Sequence, residues 1–73
     1  MSIALRDAMI DALRTEISKQ GLTQQQLGER LGEGQWWVSR RLTGQVRMSV
    51  PELVRFAVAL GVDAASFLPE VDA

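Results

Sequence analysis

Leu5, Met9, Ala12 or Leu13, and Ile17 recur at spacings of three and four, with mostly polar residues between them. This is the apolar stripe of an amphipathic helix and predicts one over about residues 2–20. Gly21 ends it, because glycine takes the left-handed position just past a helix without a Cβ penalty. A second helix opens by a local device: Thr23 caps, Gln26 three residues later completes a capping box, and Leu22 is set to staple onto Leu27. The same grammar recurs. Met48-Ser49 with Glu52 and Leu53 opens a helix running to about Leu60, and Val62-Asp63 with Phe67 opens a last short one after Gly61. Between Leu31 and Gln35 stand Gly32-Glu33-Gly34, which suit a tight turn between two short helices. The helix after that turn is predicted over about residues 35–43, closing at Gly44. No period-two alternation of apolar residues and no internal repeat interrupts this order. The expectation is a compact all-α domain of five helices covering residues 1–73, with a helix-turn-helix at about 23–43 and C-terminal helices at about 50–68.

Composition narrows the class. A chain of 73 residues is one domain, since a fold this small hides only about 60% of its unfolded surface. Its 47% hydrophobic content supplies a core, and the absence of cysteine leaves stability to packing and capping. Histidine is absent too, and no carboxylate cluster or phosphate-binding glycine loop takes its place, so neither an enzyme nor a metal or other cofactor is expected. No apolar run approaches a membrane span, and three acids stand within residues 1–20, so a soluble cytoplasmic protein is expected. The net charge of −1 conceals a segregation. Residues 21–49 carry Arg30, Arg40, Arg41 and Arg47 against Glu29 and Glu33, a balance of +2, whereas residues 50–73 carry −3.

The segment GLTQQQLGERLGEGQWWVSRRLTG at 21–44 resembles the lambda-repressor-like (Cro/XRE-type) helix-turn-helix family. The residues that carry the likeness are Gly21, Leu22, Thr23, Gln24, Gly28, Gly32, Val38, Ser39, Arg40 and Gly44. Ser49 opening a later helix and Ala59-Leu60-Gly61-Val62 closing it extend the resemblance to residue 68. It implies a DNA-binding domain whose third helix enters the major groove of an operator. It also implies a base-contacting residue at Gln35 and a backbone-positioning role for Gln24.

The residues support that reading independently. At about 100° per residue, Val38 and Leu42 fall within 40° of each other and point inward, while Trp36 and Arg40 lie roughly opposite. Gln35, Ser39 and Thr43 lie between. An outer face of Gln35, Trp36, Ser39 and Arg40 offers donors and acceptors for base edges and an apolar surface for a thymine methyl. Gln35 suits adenine, and Arg40 suits guanine or a phosphate. Thr23, Gln24, Thr43, Gln45 and Arg47 are expected on phosphates, although Thr23 is explained better as a cap and Arg47 equally well as a solvated loop cation. Trp37, one turn before Arg41, is expected largely buried with the guanidinium stacked on its ring. Trp36 points away from the core and needs a partner, either DNA or a protein.

The chain departs from the family at three places. Many relatives pair an Arg and a Glu where this chain has Ile17 and Leu42, so an ion pair has been exchanged for an apolar one and the two are expected to touch. Arg41 occupies a usually apolar position, and Gly34 lacks the side chain that often caps helix 3. The function expected is sequence-specific binding of double-stranded DNA by a phage-type or bacterial repressor. A homodimer joined through the C-terminal third is expected, with Phe67 and Leu68 as anchors unless Phe67 instead closes the core. The alternative is a protein-interaction module, such as an antitoxin or anti-repressor, that uses the helix 3 face.

Overall fold

The computed structural model describes residues 3–67, with side chains from residue 6 onward. Four α-helices follow one another: α1 (Ile3–Lys19), α2 (Gln24–Leu31), α3 (Gln35–Leu42) and α4 (Val50–Leu60), then a single 3-10 turn, Ala64–Phe67. There is no strand among the described residues. The expected fifth helix is thus corrected to one 3-10 turn. Its hydrogen bonding explains why: Asp63 accepts at its carbonyl from the Ser66 N–H (3.0 Å) and hydroxyl (2.6 Å), and at Oδ1 from the Ala65 N–H (3.0 Å). Bonds of three-residue span close a tighter turn than an α-helix.

Both capping boxes form as their spacing predicts. The Thr23 hydroxyl accepts from the Gln26 N–H while Gln26 Oε1 accepts from the Thr23 N–H. Ser49 and Glu52 repeat the arrangement at the start of α4. Each box satisfies two of the N–H groups that a helix start leaves without partners.

The apolar stripes converge on one core. Leu13, Leu27, Val38, Leu53 and Phe56 are completely or almost completely buried, and Met9, Ile17, Leu42, Met48, Ala57, Leu60 and Phe67 complete the cluster. Ile17 and Leu42 are buried members of the same core. Phe67 is 3% exposed, which makes it the residue that closes the core and removes it as a dimer anchor. Leu68, its proposed companion, lies outside the described residues.

The turn between α2 and α3 is held at backbone distance. The Glu33 N–H donates to the Gly28 carbonyl at 2.8 Å, and a Cβ on Gly28 would stand 2.7 Å from the Glu33 carbonyl oxygen. Gly32 ends α2 at φ +71°, a conformation glycine adopts at little cost. The chain then reverses in two residues and starts α3 at Gln35. The angle between the two helices is thereby set by backbone contact, which is stiffer than contact between long side chains.

Candidate nucleic-acid interface

Burial of Val38 and Leu42 fixes the rotation of α3 and leaves Gln35, Trp36 and Arg40 exposed along its outer side. Trp36 is 69% exposed, far from the core as its helical position requires. Ser39 is half-buried at the flank of that face. Gly34 caps α3 with no side-chain hydrogen bond, so the first turn of the helix has free N–H groups beside the exposed Gln35.

The residues expected on phosphates divide into two groups. At the start of α2, Gln24 is half-buried and Thr23 is exposed; the Thr23 oxygen is occupied as an acceptor, but its hydroxyl proton can still be donated. Beyond α3, Gln45 and Arg47 are exposed in the loop. Thr43 is exposed as well, yet its hydroxyl donates to the Arg40 carbonyl at 3.2 Å, so it reaches a phosphate as donor only by giving up that bond.

The basic character of residues 21–49 is not all available at this face. Arg41 turns back: its Nε donates to Glu52 Oε2 at 3.0 Å, its Nη1 to the Trp37 carbonyl at 3.1 Å, and its Cζ lies 3.8 Å from the Trp37 ring centroid. Trp37 itself is half-buried and stacks on Phe56 with centroids 5.8 Å apart and planes 16° from parallel. The expected stacking of Arg41 on Trp37 is thus present, and the burial of Trp37 is partial. An arginine fits the usually apolar position because its charge is paired with Glu52 and its plane lies on an aromatic ring. Glu52 is held below the ordinary carboxylate range, chiefly by the Ser49 main-chain N–H; burial opposes this, and the Arg41 hydrogen bond and charge reinforce it. Arg30 is also engaged, donating to the Ala59 carbonyl at 3.2 Å. Among the described residues, Arg40 and Arg47 are the arginines of this segment whose side chains hold no protein hydrogen bond.

One interface neighbour is absent from the sequence reading. Arg14 of α1 is exposed and donates from Nη1 to the carbonyl of Leu42, the last residue of α3, at 3.2 Å. Its position three residues before Ile17 places it beside the inward stripe of α1, which is legible in the sequence. Which helix it meets there is not, because that depends on how α1 crosses α3.

A model of the helix-turn-helix domain family matches residues 4–67, nearly the whole of the described chain. The chain belongs to this family. The match agrees with the Cro/XRE-type likeness and supports a DNA-binding domain. No curated protein and no solved structure matches. Among the described residues of this helix-turn-helix domain, no helix is long and apolar enough to cross a membrane.

Proposed function

We propose that this helix-turn-helix domain binds double-stranded DNA in a sequence-specific manner as a transcriptional repressor of phage or bacterial type, with α3 in the major groove. It acts in the cytoplasm by occupying an operator, without a catalytic step. The observation that carries the reading is the outer face of α3: Gln35, Trp36 and Arg40 stand exposed on a helix whose rotation and angle are fixed by Val38, Leu42 and the Gly28 contact. Gln35 reads adenine through its amide, Arg40 reads guanine or holds a phosphate, and Trp36 with Ser39 borders a thymine methyl. Thr23, Gln24, Thr43, Gln45 and Arg47 position the phosphate backbone. Two such domains bind successive major grooves as a homodimer, since one short helix supplies few base contacts. In the C-terminal third, Val50, Val54 and Val58 are exposed at four-residue spacing along α4 and offer the apolar surface that Phe67 does not.

The test is selection from a random duplex library followed by salt titration on the selected site. Affinity is expected to fall with salt at a log–log slope of about −0.9 per phosphate contact. Gln35→Ala is expected to relax preference at one base position, and Arg47→Ala to weaken all sequences alike. No duplex binding at low salt would overturn the reading. The 69% exposure of Trp36 favours one second reading, a protein-interaction module of antitoxin or anti-repressor type, which that result would support.

A further inference from the structure

We infer that Arg14 of α1 contacts a DNA phosphate, so that the interface extends beyond the helix-turn-helix onto the first helix; this rests on the DNA-binding reading above. Arg14 sits where three helices meet. One depression of the surface is lined by Arg14 together with Ser18, Thr23 and Gln24, the last two being the residues that start α2. A second, on its other side, is lined by Arg14 with Thr43 and Gly44 at the end of α3. The guanidinium therefore stands between the two groups of side chains assigned to the backbone of DNA.

Its orientation is held in place. The Nη1 bond to the Leu42 carbonyl uses one of five N–H donors, and among the described residues no other protein acceptor takes the rest. A planar fork anchored at one edge keeps another edge for a second acceptor, and phosphate matches that geometry. The neighbouring carboxylates select the side. Asp7 and Asp11 line the depression shared with Thr43, whereas no acid lines the one shared with Thr23 and Gln24. A phosphate is thus placed at the start of α2, where the helix leaves N–H groups pointing outward and its dipole adds positive potential.

The charge pattern gives the contact its weight. Arg41 is paired with Glu52 and Arg55 with Glu33, while Arg30 stands in the last turn of α2, at the opposite end from Thr23 and Gln24, anchored on the Ala59 carbonyl of α4. Arg14 joins Arg40 and Arg47 as a cation on the side of the molecule that carries α3 and the start of α2.

The experiment compares the full chain with Arg14→Ala and Arg14→Lys on a selected duplex and on an unrelated one, across a salt series, with thermal unfolding of each variant alongside. Arg14→Ala is expected to weaken both duplexes by the same factor and to reduce the magnitude of the salt slope by about 0.9, one contact's worth. Arg14→Lys is expected to keep the slope. A merely structural tie to Leu42 would lower the unfolding midpoint and leave the slope untouched, and that result overturns the inference, as does a Lys variant that behaves like Ala. Failure of the unsubstituted chain to bind any duplex is a different outcome, which removes the DNA-binding reading itself.

Discussion

Gly28 shows how one side-chain choice governs the angle of the helix-turn-helix. The position is helical, where glycine costs up to about 1 kcal/mol relative to alanine, yet a Cβ there would meet the Glu33 carbonyl oxygen at 2.7 Å and the Gly34 carbonyl carbon at 3.3 Å. Both neighbours are backbone, so relief requires moving the turn. Gly28→Val, which adds two methyl groups beyond that Cβ, is expected to destabilise by about 1–3 kcal/mol or more through overpacking. Chemical denaturation checks this, and an unchanged midpoint would mean that the turn yields freely. Arg41 makes the opposite point about residue choice. Its position usually holds an apolar side chain, and the arginine is accommodated because Glu52, the Trp37 carbonyl and the Trp37 ring all meet it.

Three of the four α-helices end on a side chain from elsewhere in the fold. The last carbonyls of α2, α3 and α4 accept in turn from Arg55 of α4 (Leu31, 2.8 Å), Arg14 of α1 (Leu42, 3.2 Å) and Gln20, just beyond α1 (Leu60, 2.8 Å). Arg30 of α2 adds a bond to Ala59 near the end of α4, so α2 and α4 cap each other reciprocally. Carbonyls that a helix end leaves without partners are thereby converted into ties between helices, and cationic donors suit the negative end of the dipole. The start of α4 carries a pH dependence. Glu52 has a lower pKa folded than unfolded, so its contribution to stability is complete above the unfolded carboxylate range and is lost as pH falls through the folded value. Glu52→Gln retains the capping geometry, as Gln26 does in the equivalent box, but abolishes the titration and the Arg41 ion pair. It is expected to be less stable than the parent near neutral pH and to show a shallower loss of stability over the interval from neutral pH down through the ordinary carboxylate range. Urea midpoints measured across that interval check it; parallel curves would mean that the Glu52 charge adds nothing.

At the level of the whole molecule, Arg14, Arg40 and Arg47 and the exposed valines occupy different elements. Arg14, Arg40 and Arg47 stand with α3 and the start of α2, while the exposed valines run along α4. Val50 and Val58 are 73% and 74% exposed, so replacing Val58 changes the folded monomer little. Val58→Glu is expected to leave the unfolding midpoint nearly unchanged while shifting sedimentation toward the monomer and weakening operator binding. If the parent chain sediments as a monomer at every concentration, the homodimer is wrong. If it dimerises and Val58→Glu does not disturb it, the interface lies elsewhere than α4.

Local signals made most of the fold legible. The two capping boxes, Gly21, Gly32 and Gly61 at helix ends, and the three-and-four spacing of Met9, Leu13 and Ile17 act within a few residues, so the chain determined the four α-helices and their inward faces by itself. The outer face of α3 followed for the same reason, because the inward positions Val38 and Leu42 dictate where Gln35, Trp36 and Arg40 point. Tertiary structure decided what depends on the crossing of helices. It tied Arg30 and Arg41 into the body, brought Arg14 to the end of α3, and committed Phe67 to the core. Long cationic side chains border several neighbours at once, and helical periodicity says which side they leave from but not which carbonyl, carboxylate or ring they meet.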